Sequence, residues 1–491
     1  LLVPERLITE TIHKDVSEEH TMIKEKELDH VLQEIIDLWR IPGLGVGIVK
    51  DSQIVYARGF GVQSLATGAP VTPDSLFCIA SITKCFVAAA VMQLVEQGRL
   101  HLDTPLVHYL PEFRLDDERY TVITLRQMLS HTSGMPDMEE DEYDKLVANP
   151  EYDEGAPGRF VRSLAGRKMV AAPGERFVYS NIAYNVLGYL ITKITGQTFE
   201  DYMQENILRP AGMPESTLFF PDVPLNRLAV PHLRAPGMIV NPVYPYHRAD
   251  APASFLHTSV VEMCHWAITS LERGIYQGQR ILTPASYDQM WTPVAQRGDP
   301  PFREEMGLGW TLGHFEGART VGHGGGGFGW TCFFALLPEI DGAAIILSNE
   351  ESAAHDLALQ AVLFSMLGKK PHPGKVSWMV PIAQALQTGG IQAAYACYED
   401  IKDNPDYLIE AGELIPLYYQ LMSLKKFDLA IALLQLDLHV FPERLGLYIY
   451  LAKVHLEKGD RAQAEAMLRR VLAIQPNQAD ALEMLSKIAE W

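Results

Sequence analysis

The sequence predicts an α/β (α+β) domain with an antiparallel sheet built from both of its chain ends, followed by an all-α domain of helical repeats. Three observations predict it. Strand patterns occur at the start and the end of the first 368 residues, with mostly helical text between them. A short Pro- and Gly-rich break then interrupts the chain. Beyond the break, small residues recur at a spacing of 34.

Taken in order, residues 1–25 form an N-terminal extension. Residues 26–40 carry apolar side chains at Leu28, Val31, Leu32, Ile35, Ile36 and Trp39, which is helical spacing ending near Pro42-Gly43. In GLGVGIVKDSQIVYARGFG two apolar runs flank Lys50-Asp51-Ser52, which predicts a β-hairpin. Ser81 to Gln97 is again helical, and helical or loop stretches fill the middle to about residue 290. Strands are expected at 319–322, 330–337 and 342–348, then a helix over about 352–367. The first domain is bounded at 26–368, with a linker at 369–376 and helical repeats over 377–491. Ala430 and Ala464, Pro442 and Pro476, and Ala452 and Ser486 all share the 34-residue offset, and Gly459 marks a turn between helices. The period resembles a tetratricopeptide array, clearest over 411–478, with Ala396 in phase upstream.

The chain has 491 residues, too many for one ordinary core. Its 47% hydrophobic and 21% charged composition is that of a globular protein, and a net charge of −20 argues against a nucleic-acid binder. The cysteines, Cys78, Cys85, Cys264, Cys332 and Cys397, are scattered and odd in number, so neither a disulfide framework nor a zinc site is expected. They suit a reducing compartment. The first residue is Leu1 rather than Met, so a cytoplasmic chain and one with a removed export leader both remain open. No run reaches the length of a membrane span.

Three motifs carry chemistry. Ser81-Ile-Thr-Lys84 places a hydroxyl and an amine three residues apart at a helix start, within mutual reach. A serine needs a proton acceptor to become a nucleophile, and a desolvated lysine can be one. The spacing alone is weak, because Ser423-Leu-Lys-Lys426 repeats it inside the helical region. Tyr179-Ser-Asn181 lies where a Pro-Gly turn leads into a helix, and of the 20 tyrosines only Tyr179 has Asn two positions on. A phenol, of pKa about 10, serves as a base near neutrality only beside positive charge, which Lys84 would supply. Taken singly, Tyr179 reads more readily as a core aromatic with a tethered hydroxyl and Asn181 as a helix cap. The third motif, His323-Gly-Gly-Gly-Gly-Phe-Gly329, opens a predicted strand with bare backbone N–H groups, as an oxyanion site requires.

In this order and context the three motifs resemble those of class C β-lactamases, D,D-peptidases, family-VIII carboxylesterases and CubicO-type hydrolases. Met128-Leu-Ser-His-Thr-Ser-Gly134, RPAGM at 209–213, APASFLHTS at 251–259 and GLGW at 307–310 are similar too. The resemblance covers about 25–368 and implies a β-lactamase/transpeptidase-like fold, an antiparallel sheet flanked by helices with a helical subdomain. It implies Ser81 as the acylated nucleophile, Lys84 as its proton partner and Tyr179 as proton shuttle. Asn181 would hold Lys84 and a substrate amide, and the N–H groups of Ser81 and Gly326, just beyond the His323–Gly325 triplet, would form the oxyanion hole. No metal or cofactor is implied.

The triplet departs from the Lys-Thr-Gly usual in β-lactamases. A neutral histidine and a glycine give a substrate carboxylate no anchor, which moves the expectation from β-lactams toward esters and peptides. A class C-like β-lactamase, a D,D- or D-aminopeptidase, and a silent scaffold working through its repeats are the alternatives. Asp137, Glu139, Glu140, Asp141, Glu142, Asp144, Glu151, Asp153 and Glu154 form an acidic run, expected as a solvated loop or, more sharply, as a lid disfavouring anionic substrates. Substrate contacts are expected from loops at 135–175 and 230–258. The repeats would pack on the domain, pair two copies, or bind a peptide. No GxSxG or HExxH occurs, which excludes the α/β-hydrolase elbow and a common metallohydrolase motif.

Overall fold

In the computed structural model, which describes residues 24–138, 140–235, 237–352 and 354–489, the sheet joins the two ends of the first domain. The N-terminal extension, up to residue 23, and Glu139 of the acidic run lie outside the described residues. Helix α1 (Glu25–Trp39) leads into β1 (Gly43–Lys50) and β2 (Gln53–Gly61). Helix α2 (Thr83–Glu96), α3 (Glu140–Ala148), α4 (Asn181–Thr195), α5 (Ala251–Ser254) and α6 (Val260–Leu271) follow. The chain then returns through β3 (Ala295–Asp299), β4 (Arg303–Met306), β5 (Thr311–Phe315), β6 (Ala318–Gly327), β7 (Trp330–Leu337) and β8 (Gly342–Ser348) to helix α7 (Ala354–Met366).

These eight strands form one sheet in the order β2-β1-β8-β7-β6-β5-β4-β3, antiparallel throughout. Pairing of β1 with β8, Leu44 opposite Ser348 and Val46 opposite Ile346, is what brings the two chain ends together. Alternate residues point to opposite faces. Cys332, Phe334 and Leu336 of β7 join the core with α2 and α6, while Phe333, Ala335 and Leu337 join the core with α1 and α7. The glycines of β1 bring α6 close: a Cβ on Gly45 would stand 2.6 Å from Val260, and one on Gly47 2.7 Å from Cys264.

Two sequence expectations are corrected here. Strands β3, β4 and β5 stand where no strand was expected: β3 and β4 are short and polar and close the outer end of the sheet, and β5 is only five residues long with a glycine at its centre. The glycine run does not open a strand but ends one: β6 continues to Gly327, with Gly325 opposite Cys332 and Gly326 opposite Thr331. Bare extended backbone still satisfies a ladder.

Residues 369–375 carry no regular structure, and the rest is helical apart from two two-residue strands. Helix α8 (Met379–Ile401), α9 (Ile415–Ser423), α10 (Phe427–Val440), α11 (Gly446–Glu457), α12 (Arg461–Ile474) and α13 (Ala479–Ala489) complete the chain. Ala430, Ala452 and Ala464 are wholly buried, where helices cross. Ser486 is exposed, no other described helix than α12 packing closely on α13, and so is Ala396. The backbone of α8 breaks at Gly390 (φ 64°, ψ −157°) and Ala394 is buried instead, so the repeat phase does not extend upstream.

The helical region shares a core with the outer face of the sheet and with α1 and α7. Gln420 of α9, 4% exposed, accepts the backbone N–H groups of Arg234 (2.7 Å) and Ala235 (3.0 Å) through its side-chain oxygen. Arg234 is itself buried, paired with Glu350 at 2.9 Å and donating to the Trp39 carbonyl. Among the described residues no helix is long and apolar enough to cross a membrane.

Candidate active site

Ser81 sits in a single 3₁₀ turn, Ala80–Ile82, that runs directly into α2. Lys84 lies in the first turn of α2, three residues on, so the two side chains fall on one side of the helix start. Ala80 takes the left-handed conformation (φ 44°), a backbone that an alanine adopts only when its surroundings impose it. Part of that imposition is visible. Gly325 of β6 lies so close that a Cβ there would stand 2.2 Å from the Ile79 carbonyl and 3.1 Å from the Ser81 nitrogen. Only glycine lets the strand rest against the turn.

Lys84 is fully buried and its ammonium has three acceptors: Ser81 Oγ at 2.8 Å, Asn181 Oδ1 at 2.7 Å and the Ala253 carbonyl at 2.8 Å. Three donors meet three acceptors, so none is left over. Tyr179 Oη donates to Ser81 Oγ at 2.8 Å, and Lys84 Nζ lies 5.0 Å from the Tyr179 ring centre. The serine hydroxyl is thus flanked by an amine and a phenol at the same distance.

Asn181 is the first residue of α4, but the cap of that helix is Ser180, whose Oγ accepts from Ala183 N at 3.1 Å. Asn181 is free for another task. Its Nδ2 donates to Asp137 Oδ2 at 2.9 Å and its backbone N–H to Asp137 Oδ1 at 3.0 Å, which turns its carbonyl oxygen toward Lys84. Burial raises the Asp137 carboxyl above its usual range, an effect that backbone N–H donors and the charge of Lys84 oppose. The acidic run is therefore not one solvated loop. Asp137 belongs to the site, Glu140–Ala148 forms α3, Glu142 pairs with Arg167 at 2.5 Å, and Glu151 and Asp153 pair with Arg159 at 2.8 and 2.5 Å.

His323 lies in β6, 2% exposed, with Nδ1 at 2.6 Å from the Gly324 carbonyl and Nε2 without a hydrogen-bond partner among the described residues. Burial first, then the charge of Lys84, pushes its pKa down to about 3, so the ring is neutral near pH 7. The motif brings Gly325 against Ser81; Gly326 follows it in the ladder, with open space on its side-chain face out to 3.9 Å.

Sequence reasoning missed three neighbours. Besides Asp137, there is His131, fully buried and left-handed (φ 55°), its ring stacked on Tyr179 at 4.2 Å. Its Nδ1 accepts the Ser180 N–H at 3.1 Å, so the ring proton is on Nε2, and burial drives its pKa far below the usual value. The Ser-His-Thr-Ser-Gly text was the only signal for it. The third is Arg297 of β3, whose guanidinium lies 5.6 Å from the Phe177 ring centre and 5.9 Å from that of Tyr179. Nothing in its sequence context marks it. Asp250, wholly buried just before α5, accepts from Asn185 at 2.7 Å, and burial raises its pKa to about 7 against the opposing effects of Asn185 and Lys84.

Both parts of the chain are similar to known proteins. The family model described as Beta-lactamase matches residues 28–363, and one described as Tetratricopeptide repeat matches 421–488. A protein of Aspergillus campestris named "Unguisins hydrolase ungD'" is 29% identical over 363 residues, 70% of this chain and 65% of that protein, so the chain spans about two thirds of that relative's length. The structure of the octameric penicillin-binding protein homologue from Pyrococcus abyssi superposes with a TM-score of 0.63 at 28% identity, covering 71% of this chain and 78% of that one. The structure of SurE with D-Leu gives 0.56 at 25% identity, covering 70% and 76%. The chain belongs to the β-lactamase family and carries tetratricopeptide repeats behind that domain.

Proposed function

We propose that the protein is a serine hydrolase that cleaves an ester or a peptide-like amide through an acyl-enzyme on Ser81. The observation that carries this reading is the Ser81 hydroxyl, held at 2.8 Å from both Lys84 Nζ and Tyr179 Oη. With three acceptors around it, Lys84 is arranged as an ammonium, and a proton leaving Ser81 passes to the Tyr179 oxygen. That oxygen accepts it as a phenolate, having given up its own proton beside the Lys84 ammonium, and is a neutral phenol once the transfer is complete. Ser81 Oγ attacks the carbonyl carbon, and the negative charge on its oxygen is taken up by the N–H groups of Ser81 and Gly326. Tyr179 returns the proton to the leaving alcohol or amine, then accepts one from the water that releases the acyl group. His131 keeps the phenol ring in place, and Asp137 orients Asn181.

The neutral His323 favours esters and peptides over β-lactams, because the motif adds no charge for a carboxylate beside the glycines. The name of the Aspergillus relative, a hydrolase, agrees with this class. Short-chain p-nitrophenyl esters should be turned over and labelled at Ser81 by a fluorophosphonate, with nitrocefin slow. Rapid nitrocefin hydrolysis would overturn the substrate preference, and absence of labelling would overturn the acyl-enzyme, leaving a silent scaffold. The repeats serve in this reading as an intramolecular support, with pairing of copies as the second use; the Pyrococcus relative is octameric, and sedimentation of this chain tests the point.

A further inference from the structure

We propose that Arg297 is the residue that selects substrates carrying a free carboxylate. The inference rests on the acyl-enzyme reading above and supplies what that reading lacks, a fixed positive charge open to the substrate. Lys84 cannot provide it, since its three donors are all engaged within the protein. His323 cannot either, being neutral.

Arg297 stands on the outermost strand, β3, and reaches back over Phe177 and Tyr179, at 5.6 and 5.9 Å from their ring centres. The aromatic faces hold the guanidinium plane and leave its edge of donors unengaged. The side chain is partly buried, yet among the described residues no carboxylate pairs with it. The nearest acid on its own strand, Asp299, is taken by Arg303 at 2.9 Å. Partly removing a guanidinium from water without a counterion is unfavourable, and the cost is lifted when a ligand carboxylate docks as a forked pair. Of the acids in the run 137–154 whose side chains are described, Glu142, Glu151 and Asp153 are paired with Arg167 or Arg159 and Asp137 is bound to Asn181, while Glu154 is exposed. Arg297 belongs to a strand three places from the glycine strand, so a carboxylate held there does not sit where a lysine at 323 would hold one.

The test compares matched anionic and neutral substrates: mono-p-nitrophenyl glutarate against p-nitrophenyl valerate, and acetyl-D-leucyl-D-leucine against its C-terminal amide. The first pair puts the carboxylate on the acyl side and the second on the leaving side. In the wild type at least one anionic member should be favoured about tenfold or more through KM. Arg297→Ala should bring that pair to parity while the neutral member changes less than twofold, and Arg297→Lys should recover part of the preference. Binding of the same pairs to Ser81→Ala by calorimetry reads Arg297 without turnover, so loss of activity from a wrong acyl-enzyme assignment stays distinguishable. The proposal is overturned if neither pair shows the preference, or if Arg297→Ala lowers anionic and neutral members equally, which would make Arg297 a support for Tyr179 alone.

Discussion

The chain contains the spacing Ser-x-x-Lys at Ser81–Lys84 and again at Ser423–Lys426, and the two copies came to different ends. At the first, the 3₁₀ turn runs unbroken into α2, Lys84 is wholly buried, and every donor on it has a partner. At the second, α9 stops at Ser423, Lys425 is left-handed (φ 55°), and Lys426 belongs to the start of α10. Ser423 spends its hydroxyl on the Gln420 carbonyl at 2.9 Å, and both it and Lys426 are exposed. Four residues of text bring hydroxyl and amine together only where the backbone continues through them and a core closes over the amine.

The largest effect that sharpens this contrast is on the serines. Ser81→Ala should abolish fluorophosphonate labelling and lower ester hydrolysis by about 10³-fold or more, by analogy with nucleophile deletions elsewhere, whereas Ser423→Ala should change neither. Equal losses at both positions would break the comparison. Next come the lysines. Lys84→Ala removes the proton partner and leaves Asn181 Oδ1 and the Ala253 carbonyl without their donor, so a rate loss of roughly 10²–10⁴ and a stability loss of about 1–3 kcal/mol are expected. Lys426→Ala should stay within ~0.5 kcal/mol in denaturant titration.

Buried carboxylates extend the comparison to pH. Asp250, beside the site, has its pKa raised from 3.8 to about 7, and Asp437 of α10, whose oxygens lack hydrogen-bond partners, from 3.8 to about 6; burial is the main cause of both. The fold therefore favours the protonated forms. Their contribution is complete below about pH 4 and is lost as pH rises, through about 7 for Asp250 and about 6 for Asp437, with a slope of at most ~1.4 kcal/mol per pH unit for each. Urea midpoints between pH 4 and 8 should show that decline, and Asp250→Asn should flatten its upper part. A slope of opposite sign would sink the assignment. The smallest effect is expected at Asp137→Asn, which cannot accept both Asn181 N–H groups and would let the Asn181 amide turn from Lys84. About a tenfold drop in kcat with little change in KM is expected from steady-state kinetics.

The legible parts of the chain were those whose pattern is local. The apolar stripe of α1, the hairpin β1–β2 and the alternation of β7 and β8 are written in consecutive residues, and the 34-residue period shows in the alanines of the repeats. Strands β3 to β5 were not legible, because AQRGD and REEM at the sheet edge need no apolar face. In the site, Ser81, Lys84 and Tyr179 drew notice by spacing. Asp137 was hidden among eight other acids, and only its burial against Asn181 sets it apart. His131 and Arg297 are set apart only by the rings they lie against, which no spacing encodes.

The Pro-Gly break at 368–375 looks like a place to divide the protein, and the contact made by Gln420 says otherwise. Cutting there would strip the two backbone N–H groups of Arg234 and Ala235 of their acceptor and open the buried Arg234–Glu350 pair to water. It would also bare one face of α1, α7 and the outer sheet. The segment so loosened is the one that continues to Ala253, whose carbonyl holds Lys84. The repeats are therefore not an appendage that could be traded between proteins as a unit, and a β-lactamase-family domain made to live alone would need a new polar surface on that side before Lys84 stayed in place.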